Sequence, residues 1–257
     1  MNSDSNSVMR TAIEPILRAA GELAREQFGR AKPATKEDGS WVTEADRRVE
    51  TYLTEALTTE FPGTGVLGEE GHRVEGTGTW YIDPIDGTTA YVQGLAYWGP
   101  TVCLVRDGVL EVGALYLPML DEFWYAERDG GAWLNGERIR RRDDDAVRSQ
   151  SGLFVPSDIH RRPAPPWPGK IRALGSTAAH LALVAAGRGA AVVIPRWSLW
   201  DIGCGVLLIE EAGGRICDVR GESVQVTSCL AGLPILAGAS TALHLLTVDG
   251  WAVRALE

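Results

Sequence analysis

The chain has 257 residues, which is long enough to bury a sizeable core as one large domain or two tightly packed subdomains. Its formal net charge of −9 leaves no basic stripe to neutralise a phosphate backbone, which argues against a nucleic acid polymer as the main partner. No apolar run approaches the roughly 18 residues that span a bilayer, and no secretory signal pattern is present. We therefore expect no membrane partner and a cytoplasmic location.

The cysteines and the densest charged run add two expectations. The cysteines lack C-x-x-C spacing and lie in apolar surroundings, which predicts buried free thiols in a reducing cytosol. They are Cys103, Cys204, Cys217 and Cys229. The basic run over residues 138–142 is followed at once by the acids of residues 143–145, and we interpret this pair of runs as a solvated surface loop.

Apolar residues at helical spacing dominate the N-terminal part. They predict a helix over residues 8–28 that ends at Gly29, and a second helix that follows Thr43 and runs to residue 60. A polar loop over residues 31–40 joins the two helices.

Alternating apolar residues follow from Trp98 onwards. They predict three strands, over residues 98–106, 109–117 and 122–127, and an Asn-Gly turn within residues 130–136 continues the meander. We expect an antiparallel sheet that is covered by the two N-terminal helices.

The second half alternates between strand and helix signals. Residues 137–170 form its loosest part, and the prolines within residues 161–168 predict an extended connector. We place a subdomain boundary here, which gives an α+β subdomain over residues 1–145 and an α/β subdomain over residues 146–257. The expected strands are 151–155, 171–174, 190–194, 215–218 and 235–237, and the expected helices are 178–187, 200–211 and 241–256.

Residues 80–91 carry the strongest chemical signal. The segment begins as an apolar strand and then places Asp83 and Asp86 three residues apart. Because Pro84 lacks a backbone donor, we expect the chain to leave the strand between the two acids and form a rigid corner. Such a corner points both carboxylates and the Ile85 carbonyl into one volume, and clustered hard oxygen ligands suit Mg²⁺.

Gly87 and Thr88 follow this corner at a helix start, where backbone N–H groups favour an anion. A metal and a phosphate would then lie side by side. The alternative is that the segment is only a turn, because Asp, Pro and Gly are standard turn residues.

Three further acids end or begin apolar elements. Glu69 follows a short strand at residues 66–67, where an exposed loop glutamate is the alternative. Asp201 lies at a helix start, where the alternative is an N-cap. Asp46 follows Thr43 by three residues, which is the spacing of a capping box.

Six motifs occur in order along the chain. They are Thr-Glu-Ala-Asp at 43–46, Gly-Glu-Glu at 68–70, Asp-Pro-Ile-Asp-Gly-Thr at 83–88, Gly-Ser-Thr-Ala-Ala at 175–179, Trp-Asp at 200–201 and Glu-Ala-Gly-Gly at 211–214. Together they resemble the signature set of the inositol monophosphatase family, whose superfamily includes histidinol-phosphate phosphatases, fructose-1,6-bisphosphatases and 3′-phosphoadenosine nucleotidases. The resemblance spans the chain from about residue 8 to its C-terminus.

The resemblance implies a layered α-β-α-β-α sandwich and Mg²⁺-dependent hydrolysis of a small phosphate monoester by a metal-activated water. The implied ligands are Glu69, Asp83 and the Ile85 carbonyl for one Mg²⁺, and Asp83, Asp86 and Asp201 for a second. Residues 36–38 fall on the family's mobile loop near a weaker third metal. The family also implies competition by Li⁺ or Ca²⁺ and a homodimer.

The resemblance also assigns catalytic roles to residues around the corner. Thr88, oriented by Asp46, would help Glu69 to position and deprotonate the attacking water. The backbone N–H groups of Gly87 and Thr88 would hold the phosphate.

Substrate contacts are expected at Gly175, Ser176, Thr177, Ile194 and Arg196. Inositol and histidinol phosphatases of the family usually carry a glutamate where this chain has Ile194, so both of those substrates become doubtful. Arg196 and Trp197 suggest an anionic or flat group instead, and a surface arginine is the alternative. Residues 151–170 are too few for the helix that most relatives carry there.

The leading hypothesis is a cytoplasmic Mg²⁺-dependent phosphatase that acts on a small phosphorylated substrate. Cyclitol, sugar, amino-alcohol and nucleotide phosphates all stay open as substrate classes, including histidinol phosphate and a 3′-phosphonucleotide. The second hypothesis is a catalytically silent family member that binds phosphorylated ligands.

Overall fold

The computed structural model describes residues 8–141, 146–228 and 233–256. Within these ranges the elements stack in five layers: a helix pair, an eight-stranded sheet, a second helix pair, a five-stranded sheet and a C-terminal helix pair. The predicted α-β-α-β-α sandwich is therefore confirmed. The division of the chain near residue 145 stays a prediction.

The first layer consists of α1 (Val8–Arg25) and α2 (Glu44–Glu60). Thr43 caps α2 and forms the predicted capping box with Asp46. The first helix ends earlier than expected, because residues 26–30 form turns. The predicted polar loop contains a small antiparallel hairpin of β1 (Ala34–Thr35) and β2 (Trp41–Val42).

The large sheet forms the second layer, in the order β10-β9-β8-β7-β6-β5-β3-β4. Its strands are β3 (Gly65–Gly68), β4 (Arg73–Val74), β5 (Thr79–Asp86), β6 (Gly99–Arg106), β7 (Val109–Leu117), β8 (Glu122–Glu127), β9 (Gly131–Leu134) and β10 (Glu137–Ile139). All neighbours pair antiparallel except β3 and β5, which are parallel. The three long strands predicted from alternation are confirmed, and the first helix pair covers one face as expected.

The other face of this sheet is covered by the second helix pair, which the sequence did not predict as its cover. This pair consists of α4 (Thr177–Ala185) and α5 (Leu199–Ala212), while a short helix, α3 (Thr88–Val92), follows β5. The second pair is apolar on nearly all sides because it lies between two sheets.

The small sheet forms the fourth layer, in the order β12-β11-β13-β15-β14. Its strands are β11 (Gly152–Phe154), β12 (Lys170–Arg172), β13 (Ala191–Ile194), β14 (Arg215–Asp218) and β15 (Ile235–Gly238). It is mixed: β11 runs parallel to β12 and β13, and β15 runs antiparallel to its neighbours. The single helix predicted for the C-terminus is wrong. It is two helices, α6 (Ser240–Thr247) and α7 (Trp251–Leu256), because Gly250 adopts a φ of 65° between them.

The charged run after β10 differs from its prediction. Arg141 has a structural role and is not a free surface residue. Its guanidinium donates hydrogen bonds to the carbonyls of Val184, Gly189 and Ala190 and so connects this segment to the end of α4 and the residues before β13. Arg138 and Arg140 are exposed, as expected of a surface segment, and residues 142–145 of the run lie outside the described residues.

The predicted thiols are confirmed where they are described: Cys103, Cys204 and Cys217 are buried and free, while Cys229 lies outside the described residues. In the described ranges, no helix combines the length and apolarity needed to cross a membrane.

Candidate functional site

The end of β5 differs from the predicted corner. The strand continues through Pro84 to Asp86, so the chain does not leave the sheet between the two acids. Its pairing with β6 is instead irregular between Asp83 and Asp86. Such a bulge accommodates a proline, which has no N–H for the sheet. Both carboxylates are buried at this strand end.

Three carboxylates converge in front of the bulge. One oxygen each of Glu69, Asp83 and Asp201 lies within 4.8 Å of the others, and the three come from the turn after β3, from β5 and from α5. Asp201 is not the N-cap of its helix, because Ser198 is. Its Oδ2 accepts from the Ser198 backbone N–H at 2.6 Å. We call these three residues the acidic cluster.

The acidic cluster is electrostatically unfavourable without a cation. Burial, together with the charges of Glu69, Asp86 and Asp201, raises the pKa of Asp83 well above its ordinary value. Burial also raises the pKa of Asp201 to about 7. The described residues give Asp83 only one hydrogen bond, from the Ile85 backbone N–H at 2.9 Å. Closely packed carboxylates with open lone pairs favour a bound cation.

Asp86 lies beside this cluster but is held by other groups. It accepts hydrogen bonds from the Ser176 hydroxyl, from the Ala178 N–H at 2.9 Å and from the Thr177 N–H at 3.2 Å. Burial still raises its pKa to about 6, although these donors act in the opposite direction. Asp86 therefore fixes the start of α4 to the end of β5.

Lys36 places a positive charge against the acidic cluster. Its Nζ lies 2.7 Å from an oxygen of Glu69 and 2.6 Å from an oxygen of Glu70. Burial opposes the charged form, but the hydrogen bonds to the two glutamates raise the pKa of Lys36. The ammonium group thus occupies a position where a cation is favourable.

Thr88 and Asp46 contact each other as the resemblance implies. The Thr88 hydroxyl lies 3.2 Å from Asp46 Oδ1 and 3.2 Å from the Ile85 carbonyl oxygen. The second oxygen of Asp46 accepts from the backbone N–H of Thr43 at 2.7 Å and from its hydroxyl at 2.6 Å. Asp46 thus belongs to the capping box and also orients Thr88.

The five residues predicted at the substrate line one cavity of about 150 Å³. They are Gly175, Ser176, Thr177, Ile194 and Arg196. Trp197 is not available to a ligand there, because it is buried in the core and its indole N–H donates to the Leu233 carbonyl.

Glu50 and His180 are two residues near the site that the sequence reasoning missed. Glu50 is fully buried and accepts from the backbone N–H groups of Glu70 and His72, at 2.7 and 3.0 Å, and from His72 Nδ1 at 2.8 Å. It therefore anchors the turn that carries Glu69. The sequence did contain a signal for both residues, because each is a polar residue at an apolar position of its helix. Glu50 lies on the apolar face of α2, and His180 interrupts the apolar run of α4.

The sequence model of the inositol monophosphatase family matches residues 5–248. A fructose-1,6-bisphosphatase/inositol-1-monophosphatase of Thermotoga maritima is 34% identical over 221 residues, covering 83% of this chain and 86% of that protein. A histidinol-phosphatase of Chlorobaculum parvum is 32% identical over 226 residues, covering 83% and 86%. A solved IMPase structure from T. maritima has a TM-score of 0.83 at 29% identity, covering 96% of this chain and 98% of its own. The chain belongs to the inositol monophosphatase family.

Proposed function

We propose that this protein is a Mg²⁺-dependent phosphatase that hydrolyses a small phosphate monoester. Membership of the family supports phosphatase activity. The single observation that carries the proposal is the convergence of Glu69, Asp83 and Asp201 within 4.8 Å. Three buried or half-buried carboxylates with few hydrogen bonds form a donor set that suits a hard divalent cation.

The residues present fit two Mg²⁺ ions. Glu69, Asp83 and the Ile85 carbonyl would hold one, and Asp83, Asp86 and Asp201 would hold the other. The raised pKa values of Asp83, Asp86 and Asp201 support this assignment, because burial, with the neighbouring carboxylates, disfavours their charged forms and a bound cation would favour them. A third, weaker ion would lie near residues 36–38. When bound, Mg²⁺ supplies positive charge that activates a water and stabilises the leaving oxygen.

The protein groups around the metals would position the attacking water. Because Thr88 donates its proton toward Asp46, its hydroxyl oxygen can accept a hydrogen bond from that water. A carboxylate oxygen of Glu69 would take the proton as the water attacks. The backbone N–H groups of Gly87 and Thr88 would hold the phosphate oxygens.

The substrate would extend from this centre into the cavity at Ile194. An apolar side chain neither binds an amine nor accepts a hydrogen bond from a hydroxyl, so inositol phosphate and histidinol phosphate fit this cavity poorly. We also propose that the protein is cytoplasmic and forms a homodimer. Light scattering would test the homodimer.

A phosphate-release screen tests the proposed function. It would use Mg²⁺ with inositol phosphates, histidinol phosphate, sugar phosphates, nucleoside monophosphates and 3′,5′-bisphosphates. We expect release that needs Mg²⁺, that Li⁺ or Ca²⁺ inhibits, and that Asp86→Asn abolishes. The control is Asp249→Asn, which changes an exposed aspartate outside the site. Binding of these compounds without any turnover would contradict the proposal and favour a silent family member.

A further inference from the structure

The cavity beside the acidic cluster has an unusual set of wall groups. It adjoins Asp86 through Ser176 and Thr177, and its volume is about 150 Å³. Its other walls come from residues 156–157, from His180 and from residues 193–196. Within the described ranges, no acidic side chain lines it, although the acidic cluster lies nearby.

His180 presents one fixed donor at this wall. Its ring is buried and stacks on Phe154, with the ring centroids 5.1 Å apart. The Leu174 backbone N–H donates to Nε2 at 2.9 Å, so Nε2 must be an unprotonated acceptor. The proton of the neutral ring therefore lies on Nδ1.

The Nδ1–H group of His180 has no partner among the described residues. His180 itself lines the cavity, so a ligand bound there lies next to this ring. Burial lowers the pKa of His180 to about 4, so the ring stays neutral near pH 7. A donor held without a partner at a cavity wall favours a ligand that carries an acceptor.

Arg196 adds a positive charge at the mouth of the cavity. It is exposed, and its guanidinium forms no ion pair or hydrogen bond with any described residue. The remaining wall is apolar at Val193 and Ile194 and carries hydroxyl groups at Ser157 and Thr177. The cavity thus offers donors and a positive charge, but no carboxylate that would bind an amine or a polyol.

We propose that this cavity binds a second oxyanion group of the substrate, a carboxylate or a second phosphate, through His180 Nδ1–H and the Arg196 guanidinium. The inference rests on the proposed function and narrows its substrate class to phosphomonoesters that carry another anionic group. Hydrogen bonds from these donors to an anion are charge-assisted and stronger than neutral ones. Arg196 would offset the repulsion between the second anion and the acidic cluster.

Matched substrate pairs test this inference. For the carboxylate, 2-phosphoglycerate is compared with glycerol 2-phosphate, and for the phosphate, fructose 1,6-bisphosphate is compared with fructose 1-phosphate. We expect kcat/KM to favour the member that carries the second anionic group in at least one pair by about tenfold or more. Arg196→Ala should reduce that preference about tenfold, because kcat/KM should fall more for the member that carries the second anionic group than for the other member. Arg172→Ala, an exposed arginine away from the cavity, is the matched control and should change neither value.

The imidazole is tested by a signal that does not need turnover. The chain has four histidines, so the ¹⁵N-histidine spectrum is simple to assign by substitution. With Ca²⁺ in place of Mg²⁺, the Nδ1–H proton of His180 should move downfield on addition of the preferred compound with a second anionic group and stay in place with the other compound of the pair. His180→Gln should weaken the preference for the compound with the second anionic group. If that variant does not fold, the ¹⁵N-histidine spectrum of the wild type decides.

The outcomes separate the two proposals. Phosphate release without preference in either pair, or a preference that Arg196→Ala leaves intact, overturns the second-oxyanion inference alone. No phosphate release from any compound overturns the proposed function. In that case calorimetric binding of the same pairs decides the inference: tighter binding of a member with the second anionic group that depends on Arg196 supports it, and equal binding overturns it.

Discussion

The carboxylates around the turn after β3 differ in the number of hydrogen bonds that they accept. Glu50 has no exposed surface and accepts three N–H donors from Glu70 and His72. Asp83 and Asp201, which lie near Glu69 of the same turn, each accept one hydrogen bond from the described residues. Glu50 and Asp83 are buried and Asp201 is half-buried, but only Glu50 accepts several hydrogen bonds from protein groups.

This difference separates a structural carboxylate from one that awaits a ligand. A buried carboxylate is tolerated when hydrogen bonds compensate its lost hydration. His72 and two backbone groups do this for Glu50. The acidic cluster lacks such compensation, and the raised pKa values of Asp83 and Asp201 are the result. The acidic cluster is therefore electrostatically unfavourable, whereas Glu50 close to it is stabilised by hydrogen bonds. A bound cation would stabilise the acidic cluster as well.

The largest effect should follow from Asp83→Asn. Because this substitution removes a proposed ligand of both metals, we expect kcat/KM for phosphate release to fall by about 100-fold or more. The metal-free protein should be no less stable than the wild type, because a source of like-charge repulsion is gone. Activity assays and thermal unfolding in EDTA measure the two effects.

Glu50→Gln should have the opposite effect, a large loss of stability with a smaller loss of activity. Removing the charge weakens three hydrogen bonds, so we expect the free energy of unfolding to fall by about 2–3 kcal/mol, with a smaller loss of activity through Glu69. Denaturant unfolding measures it. Glu55→Gln, on an exposed face of the same helix, is the matched control and should be near neutral. A loss of activity with unchanged stability would place Glu50 with the ligand-binding set instead.

The comparison also predicts a pH dependence of stability without metal. The folded-state pKa values of Asp83, Asp86 and Asp201 lie above 3.8, so the folded protein binds more protons than the unfolded chain between about pH 4 and pH 7. Stability should therefore fall as pH rises through this window. His180 has a lowered pKa and acts in the opposite direction, whereas Asp46 and Glu70, whose pKa values are also raised, act in the same direction as the three aspartates. In EDTA, Tm should be several degrees lower at about pH 7.5 than at about pH 5.

Mg²⁺ provides the control for this prediction. The ion should raise Tm more at the higher pH, where the carboxylates are ionised and bind it best. A Tm in EDTA that rises steadily with pH would contradict the prediction that the ionised acidic cluster destabilises the metal-free protein. Asp83→Asn should reduce the slope of Tm against pH.

Local sequence patterns predicted the elements but not the contacts between them. Alternation located β6, β7 and β8, and Thr43 with Asp46 marked the start of α2, because these signals depend on neighbouring residues alone. Pro84 misled the prediction, since pairing with β6 through a bulge outweighs the missing donor. Arg141 misled it too, because its carbonyl partners follow it by more than 40 residues.

In the site, too, local patterns predicted individual residues but not the contacts between them. The motifs around Asp83 and the family resemblance selected Glu69 and Asp201, which the fold brings within 4.8 Å of Asp83. The donors that distinguish Asp86 from these residues come from the start of α4, about 90 residues further along, and no local spacing predicts them. His180 likewise acquires its tautomer from Leu174, a contact that exists only in the folded chain.

The smallest effect should come from Lys36, which is the protein's own cation at the acidic cluster. Its ammonium group contacts Glu69 and Glu70, with about a fifth of the side chain exposed, so Lys36→Met should lower the stability in EDTA by only about 1 kcal/mol. Because the ammonium and Mg²⁺ compete for the same Glu69 carboxylate, the variant should bind Mg²⁺ several-fold more tightly by calorimetry. Lys32→Met, an exposed lysine in the same loop, is the matched control. Weaker Mg²⁺ binding in Lys36→Met would instead mean that Lys36 holds Glu69 in position for the ion, and the cluster would then resemble Glu50 in depending on a protein partner.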